Sequence, residues 1–211
     1  MHDTMATGTP PRLILASASP RRAEILRGAG FQFEVRPVNL DESLRPGESP
    51  GAHVKRLACE KALAVSARVK GHALVIGADT VVVVGRRILG KPKSQQEACR
   101  MLRFLSGRSH RVLTGLAVLV AGAPGTHGQQ HATPPRCEVE TTRVWFAPLS
   151  AREINSYVAS GEPMDKAGAY AVQGRGGRFV TRIEGCYFNV VGLPLARLYR
   201  MLLKAGVRAR L

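Results

Sequence analysis

The segment from Ala73 to Val84, ALVIGADTVVVV, limits what this chain can fold into more than any other. Apolar residues, most of them β-branched, flank Asp79 on both sides, and such side chains suit a pleated surface that is covered on both faces. The run predicts a central buried strand or hairpin, with Gly85-Arg86-Arg87 turning the chain into Ile88-Leu89. It falls well short of the ~20 apolar residues that a bilayer span requires. An ionisable side chain in that setting must be paired, bind a metal, or stand at a strand end facing a cleft.

Other elements follow from periodicity and punctuation. Arg12–Ala16 reads as a strand and Arg21–Ala29 as an amphipathic helix, with Ser19 at the N-cap, Pro20 at the first helical position and a stop at Gly30. Phe31–Val38 alternates like a second strand and leads into an acidic loop with Asp41 and Glu42. Val54, Leu57, Ala58, Ala62 and Val65 recur at helical spacing between about Pro50 and Val69. Capping-box patterns at Ser94–Glu97 and Ser150–Glu153 open two more helices, ending near Leu105 and Gly161. His110–Val120 is a further strand and Leu195–Leu203 a final helix.

Strands interleaved with helices indicate an α/β chain. At 211 residues and 45% hydrophobic content it can bury one large core, and the expectation is one domain with two lobes around a cleft. The same reading expects a flexible N-terminus over residues 1–11, the domain over 12–203 with a Gly- and Pro-rich loop insertion at 121–136, and a basic tail over 204–211.

The formal charge of +16 draws polyanions without choosing among nucleotides, nucleic acid and acidic membranes. An aromatic content of 5% argues against a stacking platform for single strands. Cys59, Cys99, Cys137 and Cys186 lie far apart with no zinc spacing, and no secretion signal or membrane span is evident. The expectation is a soluble cytoplasmic protein with free thiols.

Gly85 to Pro92 nearly matches a P-loop, but Pro92 supplies neither the metal-binding hydroxyl nor the N–H that such a loop needs. Gly174-Arg175-Gly176-Gly177 lacks the frame of a dinucleotide-binding turn. Ser17, Ser19, Arg21 and Arg22 gather hydroxyls and guanidiniums at a helix N-terminus, the parts that hold phosphate. Asp79 and Glu42 offer oxygens for Mg²⁺ or Mn²⁺, while Lys61 and Lys91 offer charge for a polyphosphate. These groups suit phosphoryl or nucleotidyl chemistry, although spacing does not show that they converge.

An ordered series of motifs resembles the Maf-type nucleotide pyrophosphatases, also called septum-formation inhibitor Maf proteins. It runs through Ser17-x-Ser19-Pro20-Arg21-Arg22, Asp41-Glu42, Ala58-x-Glu60-Lys61-Ala62, Gly77-Ala78-Asp79-Thr80-Val81-Val82 and Leu89-Gly90-Lys91-Pro92. It continues through Val112-Leu113-Thr114-Gly115, Gly161-Glu162-Pro163 to Gln173-Gly174, and Phe188-Asn189 to Leu193-Pro194. The resemblance implies a mixed twisted sheet flanked by helices, two lobes around a central cleft as in the inosine-triphosphate pyrophosphatases, and often a homodimer. It implies hydrolysis of a nucleoside triphosphate to monophosphate and pyrophosphate with a divalent cation. Ser17, Ser19, Arg21 and Arg22 would bind phosphates, Lys61 and Lys91 would neutralise them, and Glu42 and Asp79 would hold metal. Thr80 and Gln173 would contact substrate, Gln173 near the base, and Asp79 would also orient or deprotonate water. The Asp165–Gly174 stretch is similar to the subgroup acting on dTTP and UTP. The alternatives are preference for a modified purine such as 7-methyl-GTP, and a non-enzymatic basic nucleic-acid binder or division regulator. The acidic pair speaks against the binder.

Overall fold

The computed structural model describes residues 11–122 and 134–207. The β-branched run forms one continuous strand, β3 (Ala73–Val84), at the middle of a mixed sheet. Parallel to it lies β1 (Arg12–Ala16), which pairs in turn with the two-residue β2 (Glu34–Val35). On its other side β5 (Ser109–Ala121) runs antiparallel, followed by β6 (Arg136–Phe146) and β7 (Val180–Glu184). The hairpin expected after Gly85 returns as β4 (Arg87–Leu89), paired with the far end of β3. The mixed sheet flanked by helices is therefore the architecture expected.

The helices are α1 (Pro20–Gly28), α2 (Pro50–Ser66), α3 (Gln95–Leu105), α4 (Ala151–Ala159), α5 (Tyr187–Val191) and α6 (Leu195–Lys204). Alternation along β3 sorts its side chains. Leu74, Ile76 and Ala78 join the core beneath α1 and α6, while Val82 and Val84, further along the same face, join a second core with α3 and α4. These two cores are the two lobes. Ala73 and Val75 face α2 on the opposite side. That helix lies unusually close, because Gly77 and Gly115 have no side chain: a Cβ on either would stand 2.0 Å from Ala58 O or 2.1 Å from Val54 O.

Both expected capping serines accept a hydrogen bond from the residue three positions on. At Ser150 the Glu153 carboxylate returns the bond, completing the box. At Ser94 the Glu97 carboxylate instead accepts from Lys93 N.

Two expectations need correction. The strand read over Phe31–Val38 contracts to two residues, since Phe31 turns into the core under α1 and Pro37 has no N–H to continue a ladder. The four thiols are not all free: α2 and β6 pack together, and Cys59 and Cys137 are joined in a disulfide with Cα atoms 6.6 Å apart, leaving Cys99 and Cys186 free. The insertion read at 121–136 and the two termini fall largely outside the described residues.

Candidate active site

The site originates in a gap in the sheet. The β1 ladder on β3 ends at Gly77 and the β4 ladder begins at Val82, so neither strand pairs with Ala78–Val81 on that edge. Backbone groups there need other partners, and the cleft between the lobes opens at this point. It encloses about 620 Å³. All ten residues named from the sequence as catalytic, substrate-binding or metal-binding line it: Ser17, Ser19, Arg21, Arg22, Glu42, Lys61, Asp79, Thr80, Lys91 and Gln173.

Alternation places Asp79 and Thr80 on opposite faces of β3 at the gap. Asp79, 7% exposed, points to the α2 side, where Lys61 Nζ lies 2.7 Å from its Oδ1. The same ammonium lies 2.6 Å from Glu42 Oε1 on the acidic loop, so Lys61 bridges the two carboxylates. Burial acts to raise the Glu42 pKa, but the Lys61 hydrogen bond and charge, with Lys91 and Arg22 behind them, hold it below the ordinary range. The close seat of α2 on Gly77 and Gly115 makes this reach possible, Gly115 being the β5 partner of Asp79.

On the other face Arg22 fills the gap. Its Nη1 donates to Ala78 O and Ser17 Oγ, both at 2.9 Å, its Nη2 to Thr80 Oγ1 at 3.0 Å, and its Nε to Gly192 O at 2.8 Å. Burial lowers the pKa of this guanidinium, and the nearby Asp79 and Glu42 charges oppose the change. With four donors bonded to protein, Arg22 ties α1, β3 and the segment after α5 together under the cleft. Thr80 also shares a hydrogen bond with Thr114 on β5.

Arg21 and Lys91 differ from it in being reachable. Arg21 pairs across the cleft with the exposed Asp165 at 3.1 Å, and Lys91 and Gln173 are exposed at the rim. Ser19 caps α1 by position alone, with no side-chain bond to the helix. Gln173 belongs to a loop wrapped around one carboxylate, since Glu162 accepts from Tyr157 Oη, Arg175 N and Gly176 N.

Sequence reading missed the brace behind Glu42. The Arg56 side chain of α2 grips Glu48 through Nε and Nη2 at 2.7 and 2.8 Å, and Nη2 also donates to Ser43 O at 3.0 Å, next to Glu42. Those two bonds use both Nη2 hydrogens, so the proton on His53 Nδ1 is the one donated to Glu48 at 3.1 Å. Arg56 also pairs with Glu60 at i,i+4, and that spacing was the signal available in sequence. The Arg56 hydrogen bonds hold the Glu48 carboxyl well below the usual carboxylate range.

Carboxylates and cations gathered at a break in a mixed α/β sheet give a charged cleft whose chemistry suits an anionic ligand. The chain belongs to the Maf family: the family model described as Maf-like protein matches residues 12–205. A dTTP/UTP pyrophosphatase of Koribacter versatilis is 50% identical over 92% of this chain and 95% of its own length. One of Vibrio cholerae is 51% identical over 89% of this chain and 94% of its own. Among solved structures, the Staphylococcus aureus Ham1 protein matches with a TM-score of 0.47 and 15% identity, covering 93% of this chain and all of that one. No helix among the described residues is long and apolar enough to cross a membrane.

Proposed function

We propose that this protein is a nucleoside triphosphate pyrophosphatase acting on dTTP and UTP. The observation that carries the reading is the convergence of Asp79, Lys61 and Glu42 at the sheet gap, on a chain about half identical to proteins named for that activity. In the reaction, water attacks the α-phosphorus, the bond from it to the α,β-bridging oxygen breaks, and pyrophosphate leaves with the added negative charge. Stabilisation must therefore be concentrated around the leaving phosphates.

The residues suit that demand. Arg21, Lys91 and Lys61 supply charge to the phosphate chain, Ser17 and Ser19 line its path, and Asp79 accepts a hydrogen bond from the attacking water and orients it. Arg22 acts from beneath as a positioning group, and Thr80 carries its effect to the cleft wall. Gln173 faces the base from the far side.

Glu42 and Asp79 fit a divalent cation, since they are hard oxygen donors that already converge on one cation, the Lys61 ammonium. No third His, Cys, Asp or Glu completes a metal cluster among the described residues, so the remaining ligands would be phosphate oxygens and water. When bound, Mg²⁺ or Mn²⁺ would neutralise phosphate charge and make bound water more acidic. The reading also takes the cytoplasm as compartment, on the strength of the substrate and not of the cysteines. It includes a homodimer, for which the exposed Tyr187 and Phe188 on α5 offer an apolar contact.

The test is to incubate the protein with Mg²⁺ or Mn²⁺ and a panel of dTTP, UTP, CTP, dATP, GTP and 7-methyl-GTP, separating pyrophosphate from orthophosphate. Pyrophosphate and monophosphate released fastest from dTTP and UTP is the expected result. The same products fastest from a purine would overturn the specificity, and no turnover with either metal would overturn the reaction.

A further inference from the structure

Lys61 occupies an unusual position for a group that is to neutralise substrate. Its ammonium is 8% exposed by side chain and sits within 2.7 Å of an oxygen on each of the two carboxylates read as metal ligands. A divalent ion bound to those oxygens would lie beside the ammonium, two cations sharing one pair of anions in a partly desolvated site. Both cannot hold the position at full strength.

We propose that Lys61 is the resident cation of the nucleotide-free enzyme, and that a divalent ion enters between Glu42 and Asp79 only together with the triphosphate that draws Lys61 away. This inference rests on the metal-assisted reading above and concerns the order in which that site fills. The structure supplies the means for an exchange. The α2 backbone cannot advance further towards the sheet, because it is already seated against Gly77 and Gly115. The lysine side chain has four rotatable carbons, and the cleft into which it can swing also receives the phosphates. A triphosphate offers the ammonium new anionic partners as it delivers its own metal, so the carboxylates never face each other without a cation. The arrangement avoids two costs at once: two carboxylates, Asp79 buried and Glu42 half exposed, facing each other without a cation in the empty enzyme, and a futile divalent complex that would have to be dismantled before substrate could bind.

Lys91 provides the control. Its charge acts on Glu42 from the cleft rim, but no ion pair joins it to either carboxylate. A merely electrostatic background would respond to the loss of either lysine, whereas displacement from a shared position concerns Lys61 alone.

The experiment measures Mn²⁺ binding by the disappearance of the free-ion electron paramagnetic resonance signal. For the wild-type protein, binding is compared with and without α,β-methylene dUTP, after subtraction of the metal held by the analogue alone. We expect the analogue to tighten Mn²⁺ binding at least tenfold. Without nucleotide, Lys61→Gln should bind Mn²⁺ at least tenfold more tightly than wild type, and Lys91→Gln should stay within threefold. Wild-type Mn²⁺ affinity that is the same with and without the analogue would overturn the proposal, as would equal gains from Lys61→Gln and Lys91→Gln. The wild-type comparison stands even if Lys61→Gln fails to fold. Failure of the underlying reading has a different signature: pyrophosphate released at full rate in chelator, with no protein-bound Mn²⁺ under any condition, which would overturn the metal site and this inference together.

Discussion

The two walls of the cleft are built on different principles. On the α2 wall, charges are held by charges: Asp79 and Glu42 by Lys61, and Glu48 by Arg56. On the wall formed by residues 167–179, a cluster of rings sets the geometry. His110, Phe146 and Tyr170 meet edge to face with centroids 4.8–5.3 Å apart, and Tyr157 meets Phe179 in the same way at 5.2 Å. Ion pairs place a few atoms accurately and can exchange partners when an anionic ligand arrives. Aromatic packing holds a surface in place without offering charge, which would suit a wall that meets the base in the proposed reaction. The contrast teaches that one cleft can have a pliable, charged wall and a stiff, aromatic one, which the proposed function assigns to phosphate and base.

The largest effect should come from Arg22, which lies beneath the cleft at the sheet gap. Replacing it by Met in Arg22→Met leaves Ala78 O, Gly192 O and two hydroxyls without their donor. At about 1–3 kcal/mol for a buried group left unsatisfied, the expected loss is roughly 4 kcal/mol in denaturant unfolding. A loss under about 1 kcal/mol would mean that the guanidinium does not tie α1, β3 and the segment after α5 together.

Acid should separate the walls next. Burial depresses the His110 pKa to about 4, while unfolded histidine titrates near 6.5. Between those values the unfolded chain binds more protons, so stability falls as pH drops through the window, by about 3 kcal/mol from this group. Glu42 and Glu48, both depressed, keep their pairs across most of that window. His110→Gln should therefore flatten the dependence of stability on pH between 6.5 and 4, whatever its own cost. A slope unchanged in the variant would assign the acid sensitivity elsewhere.

On the charged wall, Asp79→Asn keeps the shape and removes the charge. It should remain folded and lose roughly 10²-fold in kcat, by analogy with loss of one preorganised electrostatic group. Turnover within threefold of wild type would remove Asp79 from the chemistry. Arg56→Lys tests the brace one step further out. A lysine cannot grip Glu48 with two donors and also reach Ser43 O, so Glu42 should be less well placed. The half-saturating Mn²⁺ concentration should rise roughly tenfold, as for lost outer-shell partners of metal ligands, with kcat at saturating metal within threefold. A fall in kcat at unchanged metal dependence would show that the brace serves something other than Glu42.

The same contrast explains what could be read in advance. Asp79 was legible because a charge inside a β-branched run breaks a strong pattern, and the paired capping and turn residues marked most helices and the β3–β4 hairpin. The two strands β6 and β7 were passed over because their edge-exposed faces mix Arg, Glu and Thr with few apolar residues. Convergence of Glu42, Lys61 and Asp79 depends on where α2 lies against the sheet. Gly77 and Gly115 decide that, and a glycine in a strand has several meanings in sequence. Arg22 and Arg21 are neighbours with opposite situations, one buried under the cleft and one at its rim, and no local pattern separates them. The disulfide was illegible for the same reason, since it needs the packing of α2 across β6 to bring its two cysteines together.

Gln173 gives the smallest effect and the sharpest test of the stiff wall. It is exposed on a loop whose backbone wraps the Glu162 carboxylate, so its reach is set by Tyr157, Arg175 and Gly176 and not by its own packing. If it reads the base, Gln173→Ala loses a hydrogen bond worth about 1 kcal/mol, and the preference for UTP over CTP in kcat/KM should narrow roughly fivefold. The rate on the preferred nucleotide should change less than that. Glu162→Gln leaves Gln173 in place chemically but weakens the anion that organises its loop, so it should narrow the same preference in the same direction. If both variants slow every nucleotide by one common factor, the loop acts on the phosphates, and the division of labour between the two walls is wrong. If Gln173→Ala alone narrows the preference, the ring cluster is sufficient to hold the loop and the carboxylate is dispensable to it.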